Sequence, residues 1–221
     1  KANLTVAVNN DAKFVTQTDN ASYNGLSSSG LVSGDTLSSA LGGAPTISRT
    51  NAGTENAGTY TGVLSIGNVA SSNYNLTVQS GNFTIVAADQ LLVKVANTNA
   101  TYGASTNLTI NSVQYMNSTN VISNLTLVTR SGNSYTYADG VGGQATFTLG
   151  ASGANVSASG NTVVGAYQLG ANNVTTQNAT NFNNNLTIVG ALTVDKANIT
   201  GVTGVTLNNK VYDGTTNASF N

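Results

Sequence analysis

Chemistry in this chain would have to come from few side chains. Its 221 residues include no His, no Cys and no Trp, with only seven Lys/Arg and eight Asp/Glu. Imidazole and thiol are the usual general base, metal ligand and strong nucleophile, and all three roles lose their commonest carrier. The acids are Asp11, Asp19, Asp35, Glu55, Asp89, Asp139, Asp195 and Asp213, no two closer than eight positions. No local carboxylate pair exists, so a paired-acid or Ser–Lys site would have to be assembled by folding. The composition argues for a non-enzymatic protein with no cofactor, and no catalytic or metal residue is assigned. Asp213 could offer oxygen to calcium, but such a site wants six to eight oxygens and no acid lies near it. Tyr212-Asp213-Gly214 reads more simply as a turn at a strand end.

Asn is the residue that recurs with chemical spacing. Asn-X-Ser/Thr occurs 14 times. With 33 Asn and 54 Ser plus Thr, chance gives about eight. Asn75, Asn107, Asn124, Asn178 and Asn185 are the candidate glycan acceptors. The competing reading is that Asn-Leu-Thr is what a strand with one polar face looks like. Tyr60, Tyr74 and Tyr167 are expected to pack at strand edges with their hydroxyls reaching backbone, in preference to stacking on sugars.

Charge and hydropathy restrict the partners. A net charge of −1 cannot neutralise a row of phosphates, which argues against nucleic acid. The longest apolar runs, Ile85–Ala88 and Leu91–Val95, fall far short of the 18 or more residues a helical membrane span needs. Absence of Cys suits a chain that crosses an oxidising compartment unfolded. The chain begins and ends mid-pattern and reads as part of something longer.

Any site must be positioned by strands. Alternation of period 2 marks Asn3–Val8, Asn75–Val78, Asn82–Val86, Leu91–Val95, Asn107–Ile110, Asn124–Val128, Ala145–Leu149, Asn185–Val189 and Leu192–Val194. Turn signals fall between them at Asn24-Gly25, Ser33-Gly34-Asp35, Gly42-Gly43, Ser80-Gly81-Asn82, Ser131-Gly132-Asn133, Asp139-Gly140 and Asp213-Gly214. Asp35–Leu41 reads either as a short helix capped by Asp35 or as a loop with two buried leucines. Val113–Val121 is a second, weaker non-strand segment.

Internal echoes divide the chain. Lys1-Ala-Asn-Leu-Thr5 returns as Lys196-Ala-Asn-Ile-Thr200, and Gln90–Val95 takes the same place between them. Ala57-Gly-Thr-Tyr60 is echoed by Val164-Gly-Ala-Tyr167, and Asn75-Leu-Thr-Val78 by Asn185-Leu-Thr-Ile188. The expected units are 1–88, 89–195 with an inserted hairpin near 131–161, and a truncated unit at 196–221. The junctions have no proline and no flexible spacer, which predicts an elongated rod. A right-handed β-helix is the rival, with strands about every twenty residues.

Lys210-Val-Tyr-Asp-Gly-Thr-Thr216, preceded by Val202-Thr-Gly-Val-Thr206, resembles the opening of YDG repeats in filamentous bacterial surface proteins. Ser29–Thr36, Asn56–Tyr60, Ser72–Leu76 and Gly81–Ile85 resemble the related MBG repeats. So do Thr101-Tyr-Gly-Ala104 and Gly165-Ala-Tyr167 in the second unit. Lys13-Phe-Val15 departs from the family's Tyr-Gly pair. The resemblance implies tandem small β modules, Ig-like or β-grasp-like, with up to one short helix each. It also implies an exported, extracellular adhesin of the filamentous-haemagglutinin kind that serves attachment or biofilm formation as a stalk or fibre. The expected partners are neighbouring repeats, further copies in fibres, and a surface glycan or matrix polymer. The alternative is that the modules bind carbohydrate or matrix themselves.

Overall fold

The computed structural model describes residues 1–198 together with 201, 211 and 214. It is mainly β, as the alternation predicts. Its first half comprises β1 (Ala2–Val8), β2 (Asp11–Phe14), β3 (Leu26–Ser29), α1 (Leu37–Leu41), β4 (Thr46–Arg49), β5 (Gly58–Gly67), β6 (Tyr74–Gln79) and β7 (Gly81–Val86). These form two sheets, in the orders β3-β1-β6 and β2-β7-β5-β4. β1 runs parallel to β6 and β2 parallel to β7, while the other pairings are antiparallel.

The second half builds the same plan. It comprises β8 (Leu91–Val95), β9 (Thr98–Thr101), β10 (Ile110–Met116), β11 (Ile122–Asn124), β12 (Thr126–Ser131), β13 (Ser134–Ala138), β14 (Gln144–Ala151), β15 (Gly165–Gln177), β16 (Leu186–Val189) and β17 (Ala191–Asp195). The sheets are ordered β11-β10-β8-β16 and β12-β13-β14-β15-β17-β9. β8 lies parallel to β16 and β9 parallel to β17. Hence β1, β2, β3, β4, β5, β6 and β7 correspond to β8, β9, β10, β14, β15, β16 and β17. The surplus strands of the second unit are β11, β12 and β13. Ala145–Leu149 therefore belongs to the shared framework as part of β14 and is not the centre of an insertion. Mixed sheets of this kind are not the parallel coils of a β-helix.

One local device recurs where the chain passes between the sheets of a unit. Asn10 Oδ1 accepts from the Asn82 amide at 2.8 Å, and Asn97 Oδ1 accepts from the Ala191 amide at 2.9 Å. Both bonds fasten the first strand pair to the last, beside a glycine. A Cβ at Gly81 would sit 2.6 Å from the Val8 carbonyl oxygen, and one at Gly190 2.9 Å from Val95 Cβ. Ser80-Gly81-Asn82 is thus the entry to β7, where backbones approach closely, rather than the turn its composition suggests.

α1 is the one helix among the described residues. Thr36, not Asp35, is its N-cap; Thr36 and Ser39 form a capping box, and Gly42 ends it in the left-handed region at φ 63°. Asp35 instead accepts from the Tyr74 hydroxyl. Ala40 and Leu41 pack with Leu4, Val6 and Tyr74. Unit two carries strands β11–β13 in the corresponding stretch, where Thr126, Val128 and Thr129 supply β-branched side chains. Val113–Met116 is strand as well, followed by a turn that Asn117 Oδ1 closes onto Thr119 and Val121. Asn107–Thr109 lies outside any strand, and buried Leu125 interrupts the expected Asn124–Val128 strand. The largest core lies in unit two, where Phe147 sits between Tyr135 and Tyr137 with centroids 6.0 and 6.1 Å away.

Candidate functional site

Folding gathers charges that are scattered in sequence. Lys13 on β2 and Arg49 at the end of β4 meet Asp19, from the loop after β2, and Glu55, from the loop before β5. Lys13 Nζ lies 2.8 Å from Asp19 and also contacts Glu55; Arg49 lies 2.8 Å from Asp19 and 2.9 Å from Glu55. The cations are deep, with side-chain exposures of 7% and 1%, whereas Glu55 stands 47% exposed. The Arg49 guanidinium covers the Phe83 ring at 4.6 Å and donates to the Thr54 carbonyl at 3.0 Å. Tyr23 donates to Asp19 at 3.2 Å and meets Phe83 edge-on. Each charge touches both opposite charges, so the ring fixes two loops onto the β2-β7-β5-β4 sheet.

The electrostatics suit a clasp. Burial works against the charge on Lys13, but the Asp19 and Glu55 carboxylates more than offset it and raise its pKa. Burial likewise opposes the Arg49 charge, and the same carboxylates outweigh it. Asp19 is lowered despite burial, through Lys13 and Arg49; Glu55 is lowered chiefly by its hydrogen bond to Lys13. All four groups therefore stay ionised near neutral pH, the opposite of the poised groups that proton transfer uses. Among the described residues, no three His, Cys, Asp or Glu side chains are grouped to hold a metal ion. No helix among them is long and apolar enough to cross a membrane.

Beside the clasp a groove of about 470 Å³ runs to the junction of the units, lined by Asp11, Lys13, Asp19, Asn20, Phe83 and Lys94 among others. Asp11 is 5% exposed. Burial pushes its carboxyl upward, only partly countered by the Lys94 ammonium 3.9 Å away and by the Ala12 amide.

The junction itself is a shared core. Ala12, Phe14 and Val86 from the first unit and Leu92, Met116 and Val189 from the second form one buried apolar cluster. Around it runs an amide belt: the Asn10 amide donates to Gln168 Oε1 at 2.9 Å, and Asn97 Nδ2 to the Asn24 carbonyl at 2.8 Å. That same Asn24 carbonyl also accepts from Asn9 Nδ2 at 3.0 Å. Spacing within either unit gives no hint of this contact, because its residues read as ordinary strand positions. The corresponding positions at the far end of unit two, Asn99, Thr101 and Asp195, are polar and exposed.

The singled-out tyrosines do structural work. Tyr60 donates to the Asn56 carbonyl and Tyr167 to the Val163 carbonyl, each at 2.8 Å. Each bond reaches four residues back from near the start of a long strand. Tyr74 donates to Asp35 and accepts from the Val32 amide. Asn75, Asn107, Asn124, Asn178 and Asn185 are all exposed and spread over both units rather than gathered into one site. Asn75 donates to Asn3, Asn124 accepts from Gln114, and Asn178 adopts φ 51°. Of the sequon asparagines in the described residues, only Asn82 and Asn117 are half-buried. Asp213, Tyr212 and Asn217 lie outside the described residues.

A small two-sheet module with one parallel strand pair in each sheet, repeated and fused through a shared core, defines the class to which this chain's architecture belongs. Residues 4–84 match the family model of the MBG domain (YGX type), so the MBG resemblance holds for the first unit. No curated protein and no solved structure matches the chain. The Tyr-Gly pair of that type stands at Tyr102-Gly103, in the second unit. Val15 takes its place in the first: the Val15 amide donates to the Val86 carbonyl and the Tyr102 amide to the Asp195 carbonyl, at 3.1 and 2.8 Å, extending the parallel β2–β7 and β9–β17 ladders at equivalent points.

Proposed function

We propose that this chain is part of the structural repeat region, a stalk or fibre, of an exported bacterial cell-surface adhesin, and that it is not an enzyme. The observation that carries this reading is the doubling: one two-sheet plan is built twice, and the copies share a buried cluster centred on Phe14, Leu92 and Met116. A joint with a core transmits orientation from one module to the next, as a stalk requires and as independent enzymes or receptors do not. The MBG match of residues 4–84 supports an adhesin-type repeat. The ion-pair ring supports a scaffold too, since its groups are paired with one another and not aimed at a ligand. On this reading the protein works outside the cell, its partners being neighbouring repeats.

Small-angle scattering tests the elongated arrangement. A compact globule of this length would have a radius of gyration of about 17 Å; a stalk segment should lie well above it, with one maximum dimension shared by all conformers. A value near that of the globule, or a broad distribution of dimensions, would reject the rigid stalk. The polar groove at Asp11, Lys13 and Lys94 favours the second reading, in which the modules bind carbohydrate. Saturable binding on a glycan array, lost in Lys94→Ala, would establish it in place of the first.

A further inference from the structure

Asn24 is the one asparagine of the chain that is followed by glycine. At such a step a peptide chain reacts most readily with itself, because no Cβ shields the nitrogen that faces the side-chain amide. Nothing lies within 4 Å of where a Cβ at Gly25 would stand. The turn that carries the pair, between β2 and β3, is held by long bonds. The Tyr23 amide donates to the Asn20 carbonyl at 3.2 Å, the Ser22 amide to Asn20 Oδ1 at 3.3 Å and the Gly25 amide to the Ser22 carbonyl at 3.3 Å. All exceed the optimum of about 2.9–3.0 Å, so the Gly25 nitrogen is weakly restrained. Bonds that reach the pair from outside the turn are shorter. Asn97 Nδ2, from unit two, donates to the Asn24 carbonyl at 2.8 Å, and Asn9 Nδ2 donates to it at 3.0 Å. The Asn9 amide donates to the Gly25 carbonyl at 3.0 Å, and Asn24 Nδ2 donates to the Asn10 carbonyl at 3.1 Å. The most reactive dipeptide is therefore a hub at which the two units meet. Asp139-Gly140, the comparable aspartyl step among the described residues, differs: both Asp139 oxygens are engaged, by the Val141 and Gly143 amides and by Asn181.

We propose that Asn24-Gly25 is a self-modifying site whose reaction loosens the joint between the units as the protein ages. The Gly25 nitrogen gives its proton to water and attacks Asn24 Cγ; the Cγ–Nδ2 bond breaks, ammonia leaves and a succinimide ring remains. Water then opens the ring at either carbonyl, giving aspartate or isoaspartate, and no oxidant or reductant takes part. In the isoaspartate product the main chain runs through the former side-chain carbon and is one methylene longer. The carbonyl that Asn9 and Asn97 address becomes a displaced carboxylate. In the aspartate product an anionic oxygen replaces the donor that faced the Asn10 carbonyl. Asn9 is 0% exposed, so moving its acceptor strands a buried donor, which destabilises the fold around it. Either product adds one negative charge to a chain of net charge −1. The inference stands on the chemistry of this turn and does not need the adhesin reading.

The unaltered full-length chain supplies the test. It is incubated folded in mildly alkaline buffer and, in parallel, unfolded in urea, then digested with trypsin. Cleavage after Lys13 and Arg49 releases a peptide, 14–49, in which Asn20 and Asn24 are the only asparagines. Fragment-ion mass spectrometry should show amide-to-acid conversion at Asn24 of the folded protein, with isoaspartate the larger product. The rate should be at least about tenfold above that at the Asn-Ser steps Asn111, Asn117 and Asn133. The modified protein, separated by anion exchange on its extra charge, should have a lower urea midpoint than the unmodified fraction. Its amide hydrogen exchange should be faster in peptides covering Asn9 and Asn97. The proposal is overturned if Asn24 reacts only in urea, since the fold then protects it, or if the Asn-Ser steps react as fast. A modified fraction with the unmodified midpoint would also overturn it, by separating the reaction from the joint.

Discussion

Met116 belongs to unit two by sequence, yet it is 0% exposed within a cluster half made by unit one. Met116→Ala removes its apolar side chain beyond Cβ from a filled site, and buried Met→Ala changes cost about 2–5 kcal/mol. At this chain length each kcal/mol corresponds to about 2–4 °C in Tm. The sharper measurement is a double-mutant cycle with Phe14→Leu, by urea unfolding. Residues in one packed cluster couple by about 0.5–3 kcal/mol, whereas independent sites add to within about 0.3–0.5 kcal/mol. Coupling across the junction, with both units unfolding in one transition, is expected. A Met116→Ala effect inside the roughly 0.5 kcal/mol typical of surface changes, or strict additivity with two separate transitions, would refute the shared core.

Gly81→Ala and Gly190→Ala should each cost about 1–3 kcal/mol through forced backbone displacement, because the added Cβ would lie 2.6 Å from Val8 O and 2.9 Å from Val95 Cβ; thermal melts check both. Stability should also depend on pH with two opposed signs. Asp19 and Glu55 have lowered pKa values, so their contribution is present above the unfolded carboxylate range and is lost as pH falls through their folded values. Asp11 is raised, so its contribution is present below its unfolded pKa and lost as pH rises through its folded value. Asp11→Asn should therefore gain stability relative to the parent at pH 7 and lose that advantage in acid, as urea midpoints across the pH range will register.

The strands and the doubling are legible in the sequence because they rest on short-range information. Alternation marks β1, β7, β8, β14 and β17, and the echoes at Tyr60 and Tyr167 locate two hydroxyl–carbonyl bonds of the same length. Ser80-Gly81-Asn82 reads as a turn because composition does not distinguish a glycine needed for positive φ from one needed for close approach. The N-cap falls on Thr36, whose hydroxyl closes the capping box with Ser39, while Asp35 is drawn off by Tyr74, 39 residues away. The ion-pair ring is not legible at all. Asp19 and Glu55 are far apart in the chain, and only the β4–β5 hairpin beside β7 brings Arg49 over Phe83 and closes the ring. The same holds for the junction, where Phe14 and Met116 look like ordinary strand residues of two different modules.

The parallel pairing of each unit's opening and closing strands has a mechanical consequence. In each unit the opening strands, β1–β2 or β8–β9, lie beside and parallel to the closing strands, β6–β7 or β16–β17. Tension applied through the two ends of a unit would drag these neighbours past each other along their length. Their ladder bonds would then be loaded together in shear rather than peeled open one at a time, which makes each unit resistant to being drawn out under flow.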